Sequence, residues 1–181
     1  DPHTLEVKSW FDLIPGQAVE HIAAGKDALF IVTSGEASGM ERRADCFHVA
    51  KLNFSGNILC KRAFPAGITF RRVAVADGKV YATLQDPNKN ESRIWIGDET
   101  SLEELNSVVI GDASQQITDV LLWEDRLLTF SDFEARLYAL PDCRLLDSCP
   151  VPGWAGTSAR TEDGQIFCAI RRTLYRVDLK A

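Results

Sequence analysis

Several features that mark a known chemistry are missing from this sequence of 181 residues. It contains no GxSxG, Walker or GxGxxG motif, no CxxC pair, and no histidines at zinc-like spacing. We therefore expect no enzymatic activity, no catalytic residues, no cofactor and no metal. It also has no apolar run of about 18 residues, the length that a helix needs to cross a bilayer, so no membrane span is expected.

An excess of positive charge is also missing. The chain has 20 Lys and Arg residues against 26 Asp and Glu residues, and its formal net charge is −6. Proteins that bind nucleic acid usually present a basic face, so we expect no nucleic-acid partner. The composition is 45% hydrophobic and 25% charged, as in an ordinary folded globular domain.

The five cysteines are an odd number and show no disulfide pattern. Cys143 and Cys149 fall on one extended stretch, where six residues span roughly 20 Å, too far for a bridge. Reduced, buried cysteines favour an intracellular protein, cytoplasmic or nuclear. Asn-x-Ser sequons at Asn53 and Asn90 leave a secreted glycoprotein open as the alternative. The first residue is Asp1, so either processing or excision from a larger chain remains open.

One local pattern occurs four times along the chain. A short strand-like run leads into a polar turn with an Asp, and a run rich in β-branched and aromatic residues follows. The four copies are AGKDALFIVT, VADGKVYATL, LWEDRLLTFS and TEDGQIFCAI, with turn residues Asp27, Asp77, Asp125 and Asp163. In two copies the turn is Asp-Gly, which suits a two-residue hairpin with positive φ. A third run follows each copy, and a fourth apolar run follows in three of them, so each unit predicts three or four short strands.

Units of this kind, spaced by roughly 40 to 50 residues, resemble the blades of the β-propeller superfamily. The resemblance covers nearly the whole chain and implies an all-β, four-bladed β-propeller. Neither the WD40 signature nor the kelch double glycine is present. DALF (27–30) and TDVLL (118–122) resemble the Asp-Ala start of hemopexin-type repeats. The aromatic strand that should follow is inconsistent, however, and no cysteine pair joins the two ends, so no specific family is assigned.

The fourth unit lacks its last strand, and the missing strand is expected at the other end of the chain. HTLEVKSWF, from His3, reads as an outer strand that would pair beside TLYRVDL and close the ring. We expect one domain over residues 1–181, with blades at roughly 17–64, 65–110, 114–151 and 155–181 plus 3–13. A chain cut from a larger propeller is the alternative. SLEELNSVV (101–109) fits either a strand or, from Ser101 to Glu104, a capped helix.

In a propeller the first strand of each blade lines a central channel. The residues six places before each turn Asp would then meet in one ring: His21, Arg71, Asp119 and Thr157. Such a ring can bind a small polar ligand or an ion, or it can be a structural plug whose polar groups satisfy one another. A metal site would need three or four suitable ligands, and this ring offers only two.

The long loops and the connections between blades would share one face of the propeller. Long loops on a rigid scaffold are where binding residues gather. An apolar centre with an arginine rim is typical of a protein-binding patch, and the candidate residues are Met40, Arg42, Arg43, Phe64 and Trp154. We therefore expect a non-enzymatic binding or scaffold module for a protein or peptide partner, within a larger chain or complex or on its own. The alternative is a small-ligand or ion binder that uses the channel.

Overall fold

The structure is a computed structural model, which describes residue 14 and residues 17–35, 37–38, 41–42, 46–65 and 67–178. Within these ranges every regular element is a β-strand. The stretch from 101 to 109, open to two readings in the sequence, forms a turn followed by a strand that begins at Glu104.

Four antiparallel sheets follow one another along the chain, and we call them blades 1 to 4. Blade 1 contains β1 (Gln17–Ala24), β2 (Leu29–Gly35), β5 (Cys46–Leu52) and β6 (Ile58–Pro65), with a small hairpin, β3 (Ala37–Ser38) and β4 (Glu41–Arg42), inserted between β2 and β5. Blade 2 contains β7 (Thr69–Ala76), β8 (Lys79–Asp86), β9 (Glu91–Asp98) and β10 (Glu104–Gly111). Blade 3 contains β11 (Asp119–Trp123), β12 (Arg126–Phe130), β13 (Glu134–Ala139) and β14 (Arg144–Pro150). Blade 4 contains β15 (Ala155–Arg160), β16 (Ile166–Ile170) and β17 (Thr173–Val177).

The hydrophobic core is divided into layers that lie between successive blades. Phe30, Phe47 and Phe64 of blade 1 pack with Phe70 and Trp95 of blade 2. Two further buried clusters join blade 2 to blade 3 and blade 3 to blade 4. The first strands adjoin in the same order, β1 beside β7, β7 beside β11 and β11 beside β15. This arrangement is an all-β, four-bladed β-propeller and confirms the predicted fold class.

The predicted two-residue Asp-Gly hairpin forms in blade 2 but not in blade 4, where Asp163 and Gly164 lie within a longer loop, residues 161–165. Asp77 and Gly78 have φ angles of 50° and 72°. Positive φ at both central residues is the requirement of a tight two-residue hairpin, which Asp-Gly meets at little cost. In blade 3 the corresponding residue Glu124 also has a positive φ, 53°, although it is not a glycine. The Asp-Gly pattern in the sequence therefore identified a real hairpin between β7 and β8.

β-Bulges recur at equivalent places in the blades. In the first strands the register shifts between Val19 and His21, between Phe70 and Arg72, and between Ala155 and Thr157. In the outer strands the register skips a leucine near the start of β6, β10 and β14: Leu59, Leu105 and Leu146, which are 55%, 54% and 40% exposed. A bulge changes the direction of the side chains that follow it, so counting from a turn does not by itself identify the residue that faces the axis.

Blade 4 differs from the other blades because β17 forms its outer edge within the described part of the chain. Leu174 and Tyr175 of β17 are 67% and 37% exposed, whereas the third strands of blades 1 to 3 are mostly buried. The segment predicted to cover this edge, residues 3–13, lies outside the described residues. Closure of the ring by that segment therefore remains a prediction.

Deleting residues 1–12 tests this closure. If the segment pairs with β17, its removal leaves the backbone amides of residues 173–177 without cover, and their hydrogen exchange accelerates by at least tenfold. Amides of β12 in blade 3 serve as the internal control, because their exchange should stay unchanged. Equal protection of β17 before and after the deletion would show that the segment does not close the blade.

Candidate functional site

A buried carboxylate ties three blades together near the propeller axis. Asp119, at the start of β11, is only 6% exposed. One of its oxygens accepts a hydrogen bond from Arg72 Nε of blade 2 at 3.2 Å. Its other oxygen accepts from the backbone N–H of Ser158 in blade 4 and from Ser158 Oγ at 2.7 Å. The carboxylate is thus held by a charged and a neutral partner on opposite sides, and its negative charge is compensated.

His21 connects blade 1 to the same region. Its Nδ1 accepts a hydrogen bond from the backbone N–H of Val73 in β7 at 3.3 Å. Burial lowers the pKa of His21 below its usual value, the positive charge of Arg72 lowers it further, and Asp119 opposes this effect. The ring is therefore neutral at pH 7, the state in which Nδ1 can accept a hydrogen bond from a backbone amide.

The structure brings only part of the predicted channel ring together. Two of the predicted residues, His21 and Asp119, meet in the polar cluster. Asp77 is the first residue of the two-residue turn in blade 2, whereas Asp125 is the second residue of the turn in blade 3, so Arg72 and not Arg71 is equivalent to Asp119. Arg72 reaches Asp119, while Arg71 lies in the bulge and donates to the Gln116 side-chain oxygen at 3.0 Å once that amide is oriented for hydrogen bonding.

Blade 4 shows the same displacement of one residue. Thr157 directly follows a bulge and is exposed, whereas the next residue, Ser158, donates to Asp119. The turn of this blade is also longer, because Arg160 pairs with Ile166, whereas Ala76 pairs with Lys79 in blade 2. The different position of the Asp within the turns of blades 2 and 3 and the longer turn of blade 4 explain why spacing alone selected two neighbours of the residues that bond.

The chemistry available to this cluster is structural. Asp119, Arg72 and His21 each use their polar atoms on a partner from another blade. In the part of the chain that the structure describes, no three His, Cys, Asp or Glu side chains are grouped so that they could hold a metal ion. Buried polar groups that satisfy one another fix the geometry of a core.

The second candidate region is formed by loops at one end of the blades. Because strands alternate in direction within each blade, the connections from one blade to the next share an end with the loops between second and third strands. We call this end the loop face; its described parts in blades 2 to 4 are residues 67–68, 87–90, 112–118, 131–133, 151–154 and 171–172.

The five residues predicted to bind a partner have different positions. Met40 and Arg43 lie outside the described residues, and Arg42 contributes backbone to β4, with no description of its side chain. Trp154 lies on the loop face and is 61% exposed.

Phe64, the fifth, is a core residue. It is 7% exposed, and its ring packs edge-on against Phe70 and Trp95, with centroids 4.7 Å and 5.5 Å away. Such pairs stabilise the layer between two blades by about 0.5–1.5 kcal/mol each beyond the area they bury. Its side chain offers little surface to a partner.

An aromatic residue that sequence reasoning missed lies near Trp154 on the loop face. Phe133, between β12 and β13, is 69% exposed. The backbone N–H of Val151 donates to its carbonyl at 2.8 Å, which joins this loop to the connection that carries Trp154. The only signal in the sequence was an aromatic residue between two acidic ones in a short loop, SDFEA (131–135).

A cleft of about 350 Å³ lies beside Phe133. Its walls come from the β10–β11 connection, the Phe133 loop and the end of β14, with Gln115, Asp132 and Pro150 among the lining residues. Arg136 links two walls of the cleft, because it donates hydrogen bonds to the Ile110 carbonyl at the end of β10 and to the Glu134 carboxylate. Hydrogen bonding from Arg136 lowers the pKa of Glu134, which is therefore ionised at neutral pH.

The connection that carries Trp154 has a special backbone. Gly153 has a φ of 147°, a conformation that other residues rarely adopt. A Cβ at this position would lie 2.8 Å from Arg171 Nε, so the glycine also makes room for the arginine side chain. Trp154 and Arg171 are therefore neighbours on the loop face.

Comparison with known proteins identifies the fold but no family. No family model matches the chain, and none of the curated proteins matches it. Many solved structures do match. A protein of unknown function from Bacteroides caccae superposes with a TM-score of 0.70 and 20% identity, over 99% of this chain and 63% of that one.

Of two other matches, one is named as an enzyme and the other as a propeller. Glutaminyl cyclase from Myxococcus xanthus has a TM-score of 0.61 and 10% identity over 90% of this chain and 66% of its own. The Dos1 propeller has a TM-score of 0.63 and 9% identity over 87% of this chain and 40% of its own. This chain thus spans less than two thirds of each of the three, and identities this low establish the fold alone.

We predict that Asp119→Ala lowers the free energy of unfolding by about 2–4 kcal/mol, because Arg72 and the Ser158 amide lose their buried acceptor. Urea unfolding followed by tryptophan fluorescence measures the loss. Asp125→Ala is the matched control, since its carboxylate lies 3.7 Å from Arg126 at 80% side-chain exposure and should contribute less than about 1 kcal/mol. Equal effects of the two substitutions would contradict the structural role of Asp119.

His21 makes stability depend on pH. Because its folded pKa lies below the unfolded value of about 6.5, its contribution is complete above that value and is lost as the pH falls toward the folded pKa. We predict that His21→Gln, titrated by urea unfolding between pH 7.5 and 5, loses less stability on acidification than the wild type. The slope should shrink and not vanish, because burial also lowers the pKa of His48. Parallel curves for the two proteins would contradict the prediction.

Proposed function

We propose that this chain is a non-enzymatic binding module whose loop face holds an extended segment of a protein partner. The observation that carries the proposal is a pair of exposed aromatic side chains: Phe133, in the wall of the cleft, is 69% exposed, and Trp154, on the connection bonded to the Phe133 loop, is 61% exposed. Aromatic side chains bury a large area and dominate the binding energy of protein interfaces. Both side chains are carried on short loops between strands of a packed scaffold.

The dimensions of the region support a peptide segment as the ligand. The Val151–Phe133 hydrogen bond and the three residues from Val151 to Trp154 keep the two aromatic residues within reach of one short segment, since three residues span at most about 10 Å. The 350 Å³ cleft has room for one or two side chains of such a segment. A protein partner also suits a chain with a net charge of −6 better than a nucleic acid does.

The alternative function, binding of a small ligand or an ion in the channel, has less support. The ligand would be bound by Asp119, Arg72 and His21, but each of these side chains already forms a hydrogen bond to a residue of another blade. A ligand would have to replace these bonds, at the cost of the contacts that hold the blades together. The likeness to a glutaminyl cyclase concerns the fold, and folds of this kind serve many functions.

The proposal is tested with peptides selected from a random display library on the wild-type protein. We predict that Phe133→Ala and Trp154→Ala each weaken binding of the selected peptides by at least tenfold, measured by fluorescence polarisation. The matched control is Phe54→Ala, which removes an aromatic ring that is 64% exposed in the turn between β5 and β6, at the other end of the blades.

Thermal unfolding of all three variants must match that of the wild type, so that a loss of binding reports the surface and not the fold. The proposal fails if the selected peptides bind the Phe133→Ala, Trp154→Ala double variant as tightly as they bind the wild type. It also fails if Phe54→Ala is as damaging as either loop-face substitution.

A further inference from the structure

The two ends of the aromatic surface carry charges of opposite sign. Around Phe133 the nearby charged groups are the carboxylates of Asp132 and Glu134 in the cleft wall. Beside the connection that carries Trp154 lies the guanidinium group of Arg171, and Arg172 follows it in the turn between β16 and β17. A surface with such an arrangement prefers a ligand whose own charges are arranged in the complementary order.

The acidic end keeps negative charge available for a ligand. Within the described residues the Asp132 carboxylate has no hydrogen bond and no salt bridge. Glu134 does have a partner, Arg136, at 2.6 Å. Asp112 adds a further exposed carboxylate, hydrogen-bonded to the backbone N–H of Ser114 at 2.9 Å in the connection that lines the same cleft. Carboxylates outnumber cations here, and Phe133, whose ring is exposed, lies between Asp132 and Glu134 in the chain. A Lys or Arg of a ligand would therefore gain both an ion pair and a cation–π contact.

The basic end has the opposite character. Arg171 has a φ of 54°, and its side chain lies over Gly153, next to Trp154 in the chain. Arg172 follows it, and both side chains are exposed. No salt bridge of either arginine occurs among the residues that the structure describes. Guanidinium groups free of acidic neighbours are well suited to bind a carboxylate in a two-pronged geometry.

We infer that the loop face selects an extended segment in which a basic residue and an acidic residue flank a short apolar core. This inference rests on the proposed function and specifies its partner. The basic residue meets Asp132 and Phe133 in the cleft, the apolar residues cover Trp154, and the acidic residue meets Arg171. A segment of about five to seven residues has the required reach, at roughly 3.3 Å per extended residue.

Charge swaps between protein and peptide test the inference. Peptides selected from a random heptapeptide library on the wild type are expected to carry one basic and one acidic residue at opposite ends. Exchanging the basic residue of such a peptide for Glu should weaken its binding at least tenfold, and Asp132→Lys should restore most of that loss. Exchanging the acidic residue for Lys should weaken binding similarly, and Arg171→Glu should restore it.

Each rescue must be specific to its own end. Arg171→Glu should not rescue the peptide that lost its basic residue, and Asp132→Lys should not rescue the peptide that lost its acidic one. Glu162→Lys is the control for a change in net charge alone, because Glu162 is exposed in the turn between β15 and β16, at the opposite end of the blades. It should rescue neither peptide.

The outcomes separate this inference from the proposed function. If the selected peptides depend on Phe133 and Trp154 but show no charge preference, or if neither swap restores binding, the charge order is wrong while the binding surface stands. If binding also survives the loss of both aromatic side chains, the surface itself is wrong. Rescue by both specific swaps, with none by Glu162→Lys, supports the inference.

Discussion

The propeller depends on one constraint: a small sheet must bury a face against its neighbour. A blade of three or four short strands has too little core of its own to be stable alone. The rings of Phe30, Phe64, Phe70 and Trp95 between blades 1 and 2 show how the constraint is met, because each blade supplies half of a shared aromatic layer. Stability in this molecule is therefore a property of pairs of blades, and a substitution in one layer is felt in two sheets.

The axis meets a different requirement. There the first strands converge, and the polar side chains that face inward must find partners without water. Asp119 meets this requirement by accepting hydrogen bonds from two other blades, and neutral His21 accepts a hydrogen bond from a backbone amide of the next blade. A centre whose charges compensate one another holds the blades in place and leaves few free groups for chemistry. The rim of loops, where Phe133 and Trp154 are exposed, is consequently the region with surface to offer.

Much of the fold could be predicted from the sequence, because turn chemistry and strand composition repeat in every unit and report local preferences. Positions that depend on register could not be. Asp77 and Asp125 occupy different places in their two-residue turns, so a count of six residues from each reaches Arg71 in blade 2 although Arg72 is the residue that bonds to Asp119. The burial of individual aromatic residues could not be predicted either. Phe64 and Trp154 each lie near a connection between blades, yet Phe64 completes an aromatic layer and Trp154 faces solvent. Only the packing of neighbouring sheets distinguishes them.

The leucine bulges of the outer strands have a consequence for behaviour in concentrated solution. Leu59, Leu105 and Leu146 each interrupt the ladder of their strand near its start, which bends the outer edges of blades 1 to 3 and shortens the regular row of backbone donors and acceptors there. β17 pairs with β16 without a register shift and offers a continuous row along its other side. Wherever that side is left bare, self-association by strand addition is expected to begin at blade 4.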